Sequence, residues 1–395
     1  MPWIETSVMD ERVRFIAACL RQDEPMSHIC LRYGISRKAG YKWLERYRQA
    51  GTAGLTALSS ARHTMAHAID PAVAEAVLAL RVARPTWGPR KLLARLAQDD
   101  PATAWPAAST VGDLLLREGL SQPRPRKRHE PRPSGRLIDP TGPNESWSAD
   151  FKGWFRTADG VRCEPLTVTD GYSRYLLVCE AVAQVTAALV QPILTRAFQE
   201  HGVPRAIRTD NGSPFARRDG LAGLTQLSVW LLKLNIWLER IAPGRPDQNG
   251  RHERMHRVLH EDAASPPSAT LAEQQARLDA WRVDYNTRRP HEALGQRCPA
   301  ALYTGSPRAY PALIAAWDYP ADHHVRRVVG DGYINWRDGT VYLSGALRGE
   351  TVALARRDDG DWAVRFRGFD LAVLPEASNA IKRTGLARTP VYNVT

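Results

Sequence analysis

No Cys-x-x-Cys pair occurs in this 395-residue chain. Its five cysteines, Cys19, Cys30, Cys163, Cys179 and Cys298, are odd in number and scattered. That pattern argues against a cysteine-based zinc site and reads as reduced thiols in a reducing compartment. A run of about 18 apolar residues, the length a membrane span needs, is also missing. The richest stretch, Leu176 to Leu194, is broken by Glu180, Gln184, Thr186 and Gln191. The opening residues, MPWIETSVMDERV, lack the basic and apolar regions of a secretory signal. A cytoplasmic protein with no membrane partner is expected.

What is present is core-forming and basic. A hydrophobic share of 43% with 24% charged residues excludes a wholly disordered chain. At this length, two to four domains are expected. Lys and Arg number 54 against 42 acids, a net charge of +12 that favours a polyanionic partner, nucleic acid first. The surplus is denser early: residues 1–145 hold 22 basic and 15 acidic side chains.

Met9 to Ala50 reads as three short helices. Val13, Ile16, Ala17 and Leu20 mark an apolar face on the first, and Ile29 and Tyr33 turn inward on the second. Gly34 permits a sharp turn and Ser36 can cap the third helix. That helix carries Arg37, Lys38, Lys42 and Arg46 interleaved with aromatics. Helix, tight turn and basic capped helix is the helix-turn-helix pattern, whose second helix enters the major groove of double-stranded DNA. Residues 61–120 repeat the theme with helices starting at Pro71, at Pro89-Arg90-Lys91 and, capped by Ser109, at Thr110. Residues 121–145 are Pro-rich and basic, with Arg124, Arg126, Lys127 and Arg128; they read as an extended linker that tracks a phosphate backbone or is simply solvated.

From residue 146 the pattern switches to β-β-β-α-β-α-β-α, a mixed sheet with helices on its faces. A further helix covers Thr270 to Tyr285. The tail from about Val325 holds short β-rich runs between Asp-Gly and Arg-Gly-Glu turns, expected to form a small all-β barrel of about five strands over 320–380.

Three carboxylates fall where such a sheet can gather them: Asp150 in its first strand, Asp210 at the end of the fourth, and Glu253 on the helix after Pro246. Three hard oxygen donors without a thiol suit Mg²⁺ or Mn²⁺. Such a set can hold two ions about 4 Å apart across a phosphodiester displacement. Asp170, in Asp170-Gly171, reads first as a turn acid. Asn211, Gly212, Asn249 and Gly250 read as loop-shaping residues that let DNA approach. Lys152, Arg254 and Arg257 are candidate phosphate contacts or solvated surface charges.

Trp147-x-x-Asp150-x-Lys152, Arg208-Thr209-Asp210-Asn211-Gly212-Ser213-Pro214-Phe215 and Gly244-x-Pro246-x-x-Asn249-Gly250-x-x-Glu253-Arg254-x-His256 together resemble bacterial insertion-sequence transposases. These are DDE recombinases with a retroviral-integrase-like core. Asp284-Tyr285-Asn286, Arg289-Pro290-His291 and Leu294-Gly295 are similar to that family's following segment. The resemblance covers about residues 8–305. It implies a ribonuclease-H-like α/β core over 146–305 behind all-α helix-turn-helix domains (8–60 and 61–120), and a DDE triad at Asp150, Asp210 and Glu253. It also implies metal-dependent cleavage at the ends of an element, followed by strand transfer by the freed 3′-OH into target DNA. Pairing two DNA ends requires a homodimer or higher oligomer. Two departures stand out: an insert at Ala216–Gly223, and His260 where related sequences often carry Lys. The alternatives are a non-catalytic DNA-binding protein with an inactive core, and a zinc peptidase, since His252-Glu253-Arg254-Met255-His256 fits H-E-x-x-H.

Overall fold

A computed structural model of the chain describes residues 7–57, 69–122, 137–217, 220–241 and 250–388. Arg124, Arg126, Lys127, Arg128 and Asn249 lie outside the described residues. The chain divides into two compact units, residues 1–68 and 69–395.

The first unit holds α1 (Val8–Arg21), α2 (Met26–Arg32) and α3 (Arg37–Ala50). Ser7 and Asp10 form a capping box at the start of α1, and the Ser36 hydroxyl accepts from the Ala39 amide at the start of α3. Phe15, Ile16, Ile29, Cys30, Leu44 and Leu55 form the core. Gly40 lets α3 approach α2 closely, because a Cβ there would stand 2.5 Å from Cys30 Sγ. The apolar face of α1 is not the expected one: Val13 and Leu20 are 42% and 52% exposed. A helix of mixed composition offers more than one apolar stripe, and the one containing Phe15 buries the larger ring. On α3, Arg37, Lys38 and Lys42 are exposed, whereas Arg46 donates to the Thr56 carbonyl and lies over the Trp43 ring.

The second unit begins with α4 (Pro71–Ala83), α5 (Pro89–Asp99) and α6 (Ala108–Arg117), packed around Val77, Trp87, Leu92, Val111, Leu114 and Leu115. The expected Ser109 cap is absent: α6 starts two residues earlier, its N-cap is Ala107, and no side chain caps it.

The mixed sheet follows. Its strands are β1 (Trp147–Phe151), β2 (Phe155–Arg156), β3 (Arg162–Asp170), β4 (Leu176–Val182), β5 (Ala206–Thr209) and β6 (Trp237–Arg240). Gly153, with φ at +88°, ends the first strand earlier than the sequence suggests and separates β1 from β2. The order across the sheet is β4, β3, β1, β5, β6, with short β2 beside the start of β3. The first three strands are antiparallel neighbours; β1, β5 and β6 run parallel. Side-chain alternation gives the sheet two faces. One packs Trp147, Leu166, Val168 and Ile207 against α7 (Ala187–His201) and α8 (Gln226–Lys233). The other meets α9 (Gly250–Leu259), which continues as a π-turn over His260–Ala264, and α10 (Leu271–Thr287), through Met255, Leu259, Leu278 and Trp281. The insert makes a short 3-10 turn at Leu221–Gly223, whose carbonyls at Ala222 and Gly223 accept from Arg240.

The expected barrel is not seen. β7 (His324–Arg327), β10 (Thr351–Arg356), β11 (Trp362–Phe366), β12 (Phe369–Leu374) and β13 (Lys382–Arg388) form an antiparallel sheet in the order β13-β12-β11-β10-β7. β8 (Tyr333–Trp336) and β9 (Gly339–Tyr342) pair only with each other. Among the described residues no ladder joins β7 to β13, so the sheet stays open. Alternating hydrophobicity marks strands but not their partners, so closure was not legible from it.

Candidate active site

Adjacent parallel strands bring the first two carboxylates level. Trp147 of β1 pairs with Ile207 of β5, and Ser148 with Arg208. Carrying that register two residues further sets Asp150 beside Asp210, and alternation points both to one face. The loop after β5 is built by its own side chains. Asp210 Oδ1 accepts from the Gly212 amide at 3.0 Å, and Asn211 Nδ2 donates to the Ile241 carbonyl at 2.8 Å, just past β6.

On Asp150's other side stands Thr167 of β3, its antiparallel partner. The Thr167 hydroxyl donates to the Asp150 carbonyl at 3.0 Å. It also lies 2.7 Å from His252 Nε2 and 2.8 Å from His256 Nε2. A hydroxyl has one proton to give and two lone pairs to accept with, so both imidazoles carry their proton on Nε2 and donate to Thr167. Thr169 Oγ1 sits 3.4 Å from His252 Nδ1. These contacts lay α9, and with it Glu253, over β3 next to Asp150. Sequence reasoning missed Thr167; its signal was the polar alternation Thr167, Thr169 in an otherwise apolar buried strand.

Ligand atoms of Asp150, His252 and His256 lie within 4.8 Å of one another. Among the described residues this is the one such group, and neither Asp210 nor Glu253 belongs to it. Glu253 is exposed on α9, as are Arg254 and Arg257. Gly250 opens α9. Lys152 is half-buried, its ammonium 5.5 Å from the Phe155 ring, and burial lowers its pKa. Arg90 forms an ion pair with Glu292, and Lys91 is held down to about 8 by burial and then by Arg289. Both therefore face the segment after α10, and Arg84 binds α10 itself through two hydrogen bonds to Asp284. Asp170 is the buried turn acid: it accepts from the Asn144 and Ser173 amides and the Ser173 hydroxyl.

A second acid, not singled out from the sequence, supports the site from behind. Glu239 of β6 is buried opposite Arg208 and accepts from its Nη2 at 3.2 Å. It also accepts from the Ile138 amide at 2.6 Å and the Ser146 hydroxyl at 2.8 Å. Arg208 in turn donates to the Ile138 carbonyl at 2.7 Å.

The buried histidines are neutral. Burial, then Lys152, pushes His256 down to about 4; burial, then His256, holds His252 well below the usual imidazole range; burial, then Lys91, pushes His291 down to about 3. In the unfolded chain these groups take up protons near pH 6.5, which the fold refuses until far lower pH. Stability is therefore fully present above about pH 6.5 and falls as pH drops towards the folded values. We expect the thermal midpoint to fall by several degrees between about pH 7 and about pH 5, and His256→Gln to flatten part of that slope. Unfolding curves across pH check this.

Asp150 on β1, Asp210 just past the end of β5 and Glu253 on α9 are carboxylates of the kind that suits a hard divalent cation, and the structure does not gather the three into one ligand group. The two imidazoles nearest Asp150 already have their Nε2 protons on Thr167.

Residues 140–246 and 234–299 match the Integrase core domain, residues 11–63 a Helix-turn-helix domain, and residues 39–115 a Homeodomain-like domain. The chain is 33% identical over 194 residues to an uncharacterized 31.7 kDa protein of insertion element IS407 from Burkholderia multivorans, covering 47% of this chain and 65% of that one. It is 28% identical over 285 residues to an uncharacterized 39.2 kDa protein of insertion element IS476 from Xanthomonas euvesicatoria, covering 71% and 78%. Among solved structures, the HTLV-2 integrase catalytic core domain in complex with magnesium aligns at 14% identity and TM-score 0.32, over 41% of this chain and 97% of that one. A simian T-cell lymphotropic virus intasome aligns at 17% and 0.37, over 79% and 98%. Among the described residues no helix is long and apolar enough to cross a membrane.

Proposed function

We propose that the chain is a DNA transposase, because it matches an integrase core and helix-turn-helix domains and is similar to proteins of insertion elements IS407 and IS476. It cuts at the terminal inverted repeats of its element and joins the freed 3′-OH to target DNA. What supports the reading is the parallel pairing of β1 with β5, Ser148 level with Arg208, which runs the strand end bearing Asp210 alongside Asp150, with the helix that bears Glu253 bound to Thr167 of the neighbouring strand. Asp150, Asp210 and Glu253 hold Mg²⁺ or Mn²⁺. Two such ions, when bound, supply activation of the attacking oxygen and stabilisation of the leaving one. Thr167 fixes β1 to α9, so the carboxylates of strand and helix keep their spacing. Asn211 and Gly212 hold the Asp210 loop open to a strand of DNA. Lys152, Arg254 and Arg257 neutralise phosphates near the cut. Arg37, Lys38, Lys42 and Arg46 on α3 read or grip the repeat, and Arg124, Arg126, Lys127 and Arg128 of the linker follow the backbone. Two ends are cut in one complex, which makes the working form a homodimer or larger.

The test uses the full chain and a labelled duplex copied from the DNA flanking its coding region. Mg²⁺ should give a nick with a free 3′-OH at one position, and a chelator should abolish it. DNA binding without any cut, in Mg²⁺ or Mn²⁺, overturns the enzyme reading in favour of a non-catalytic DNA-binding protein. The zinc-peptidase reading has one observation behind it, the grouping of Asp150 with His252 and His256. Against it stand the Thr167 hydroxyl bound to both Nε2 atoms and a Glu253 turned to solvent. Elemental analysis of the same preparation should find no stoichiometric zinc.

A further inference from the structure

An open cavity of about 460 Å³ lies beyond the catalytic face, lined among others by Arg174, Arg251, Arg297, Tyr172 and Asp139. Its volume falls in the ~300–1,000 Å³ range of ligand sites. Three guanidiniums meet there against one carboxylate, and that carboxylate, on Asp139, is only loosely paired with Arg251 at 3.5 Å. Arg174 is the unusual member. Its backbone is left-handed, with φ at +64°, a conformation that costs a side-chain-bearing residue about 1 kcal/mol or more. Its guanidinium is mostly buried and has no hydrogen-bonded or ion-paired partner among the described residues. Burial and then Arg251 lower its pKa to about 10, which leaves it charged at neutral pH. Asp170 lies near enough to favour its charge, yet Arg174, Arg251 and Arg297 still outnumber Asp139 and Asp170, and a surplus of cations, one of them mostly buried, calls for an anion. Tyr172, 36% exposed, adds an aromatic wall on which a base can stack.

The cavity is continuous with the catalytic face. Arg174, Arg251 and Gly171 also line a smaller cleft shared with Ser148, Thr169 and His252. Ser148 is two residues from Asp150 on the same side of β1. Gly171 is four residues from Thr167, the partner of Asp150, so at about 3.4 Å per residue it stands about 14 Å along the sheet.

We infer that this cavity is a phosphate-binding site for the DNA strand being processed, gripping a phosphodiester to one side of the one cut. The inference rests on the transposase reading and deepens it. The chemistry is guanidinium to phosphate, bidentate where geometry allows.

The test measures binding of the full chain to the end-sequence duplex by fluorescence anisotropy over a KCl series. Arg251 and Arg297 are exposed, so R251Q/R297Q is expected to fold normally, which circular dichroism checks. Loss of two phosphate contacts should make the plot of log K against log[salt] shallower by about 1.8. A second arm replaces single phosphates by neutral methylphosphonates along the strand. The unaltered chain should lose affinity at one position away from the cut, and R251Q/R297Q should not lose more there. Competing inorganic phosphate at equal ionic strength should not displace the duplex. An unchanged slope, or a slope change with no position silenced in the variant, overturns the site. Displacement by inorganic phosphate assigns the cavity to the free ion and overturns the strand assignment. A chain that binds the duplex through this cavity but never cuts it would sink the transposase reading and leave the site standing; a chain that binds no duplex sinks both.

Discussion

An Asp150→Asn chain should lose Mg²⁺-supported cleavage of the flanking duplex by on the order of 10³-fold or more, about 4 kcal/mol of transition-state stabilisation. The substitution is isosteric. Its side-chain oxygen can still accept from the Phe151 amide, as Asp150 Oδ1 does at 2.8 Å, and the backbone carbonyl still receives the Thr167 hydroxyl. Only the charge goes. Duplex affinity and thermal midpoint should therefore stay close to those of the unaltered chain. Glu253→Gln is the companion, because Glu253 is exposed and its amide keeps the side chain's size and shape. A comparable loss from both, with binding intact, is the signature of shared metal ligation. Full activity in either variant would remove that residue from the triad, and full activity in both would remove the triad.

The largest stability effect is expected at Glu239. Glu239→Ala strips three donors at once: Arg208, the Ile138 amide and Ser146. It leaves a buried guanidinium without its counter-charge, beside an Arg208 Nε that has no hydrogen-bond partner. Breaking one half of such a pair costs about 3–5 kcal/mol. For a unit of this size that lowers the melting midpoint by on the order of 10 °C. Replacing both partners by apolar residues, Glu239→Met with Arg208→Met, should recover a good part of the loss, because the penalty belongs to the stranded charge. Thermal unfolding of the single and double variants decides it. If the double variant is no better than the single one, the carboxylate's hydrogen bonds to Ile138 and Ser146 dominate and the ion pair is secondary.

These two residues also mark what could and could not be read from the sequence. Asp150, Asp210 and Glu253 stand out in the sequence because each sits in a short motif, and the structure places them in a strand, just past a strand end and in the first turn of a helix. Glu239 sits in Trp237-Leu238-Glu239-Arg240, where a lone acid in a strand suggests nothing; its meaning comes from Arg208 directly across a parallel ladder. Parallel pairing is set by tertiary packing and leaves no local trace. Thr167 went unnoticed for the same reason, since its hydrogen bonds reach residues 85 and 89 positions away. The histidines of H-E-x-x-H were visible as a motif, but only the fold gives them Thr167. Arg90 and Lys91 looked like free cations at a helix start, and the fold turns them towards Glu292 and Arg289. The barrel failed because strand count is local and closure is global.

The pair formed by Arg208 and Glu239 holds one more thing: both bind the backbone of Ile138, through its carbonyl and its amide. Ile138 belongs to the stretch that leads from the basic linker into β1. Arg208 stands two residues ahead of Asp210 on β5. A displacement of Ile138 therefore reaches two neighbouring parallel strands at once, β5 through Arg208 and β6 through Glu239, much as one pin holds two slats.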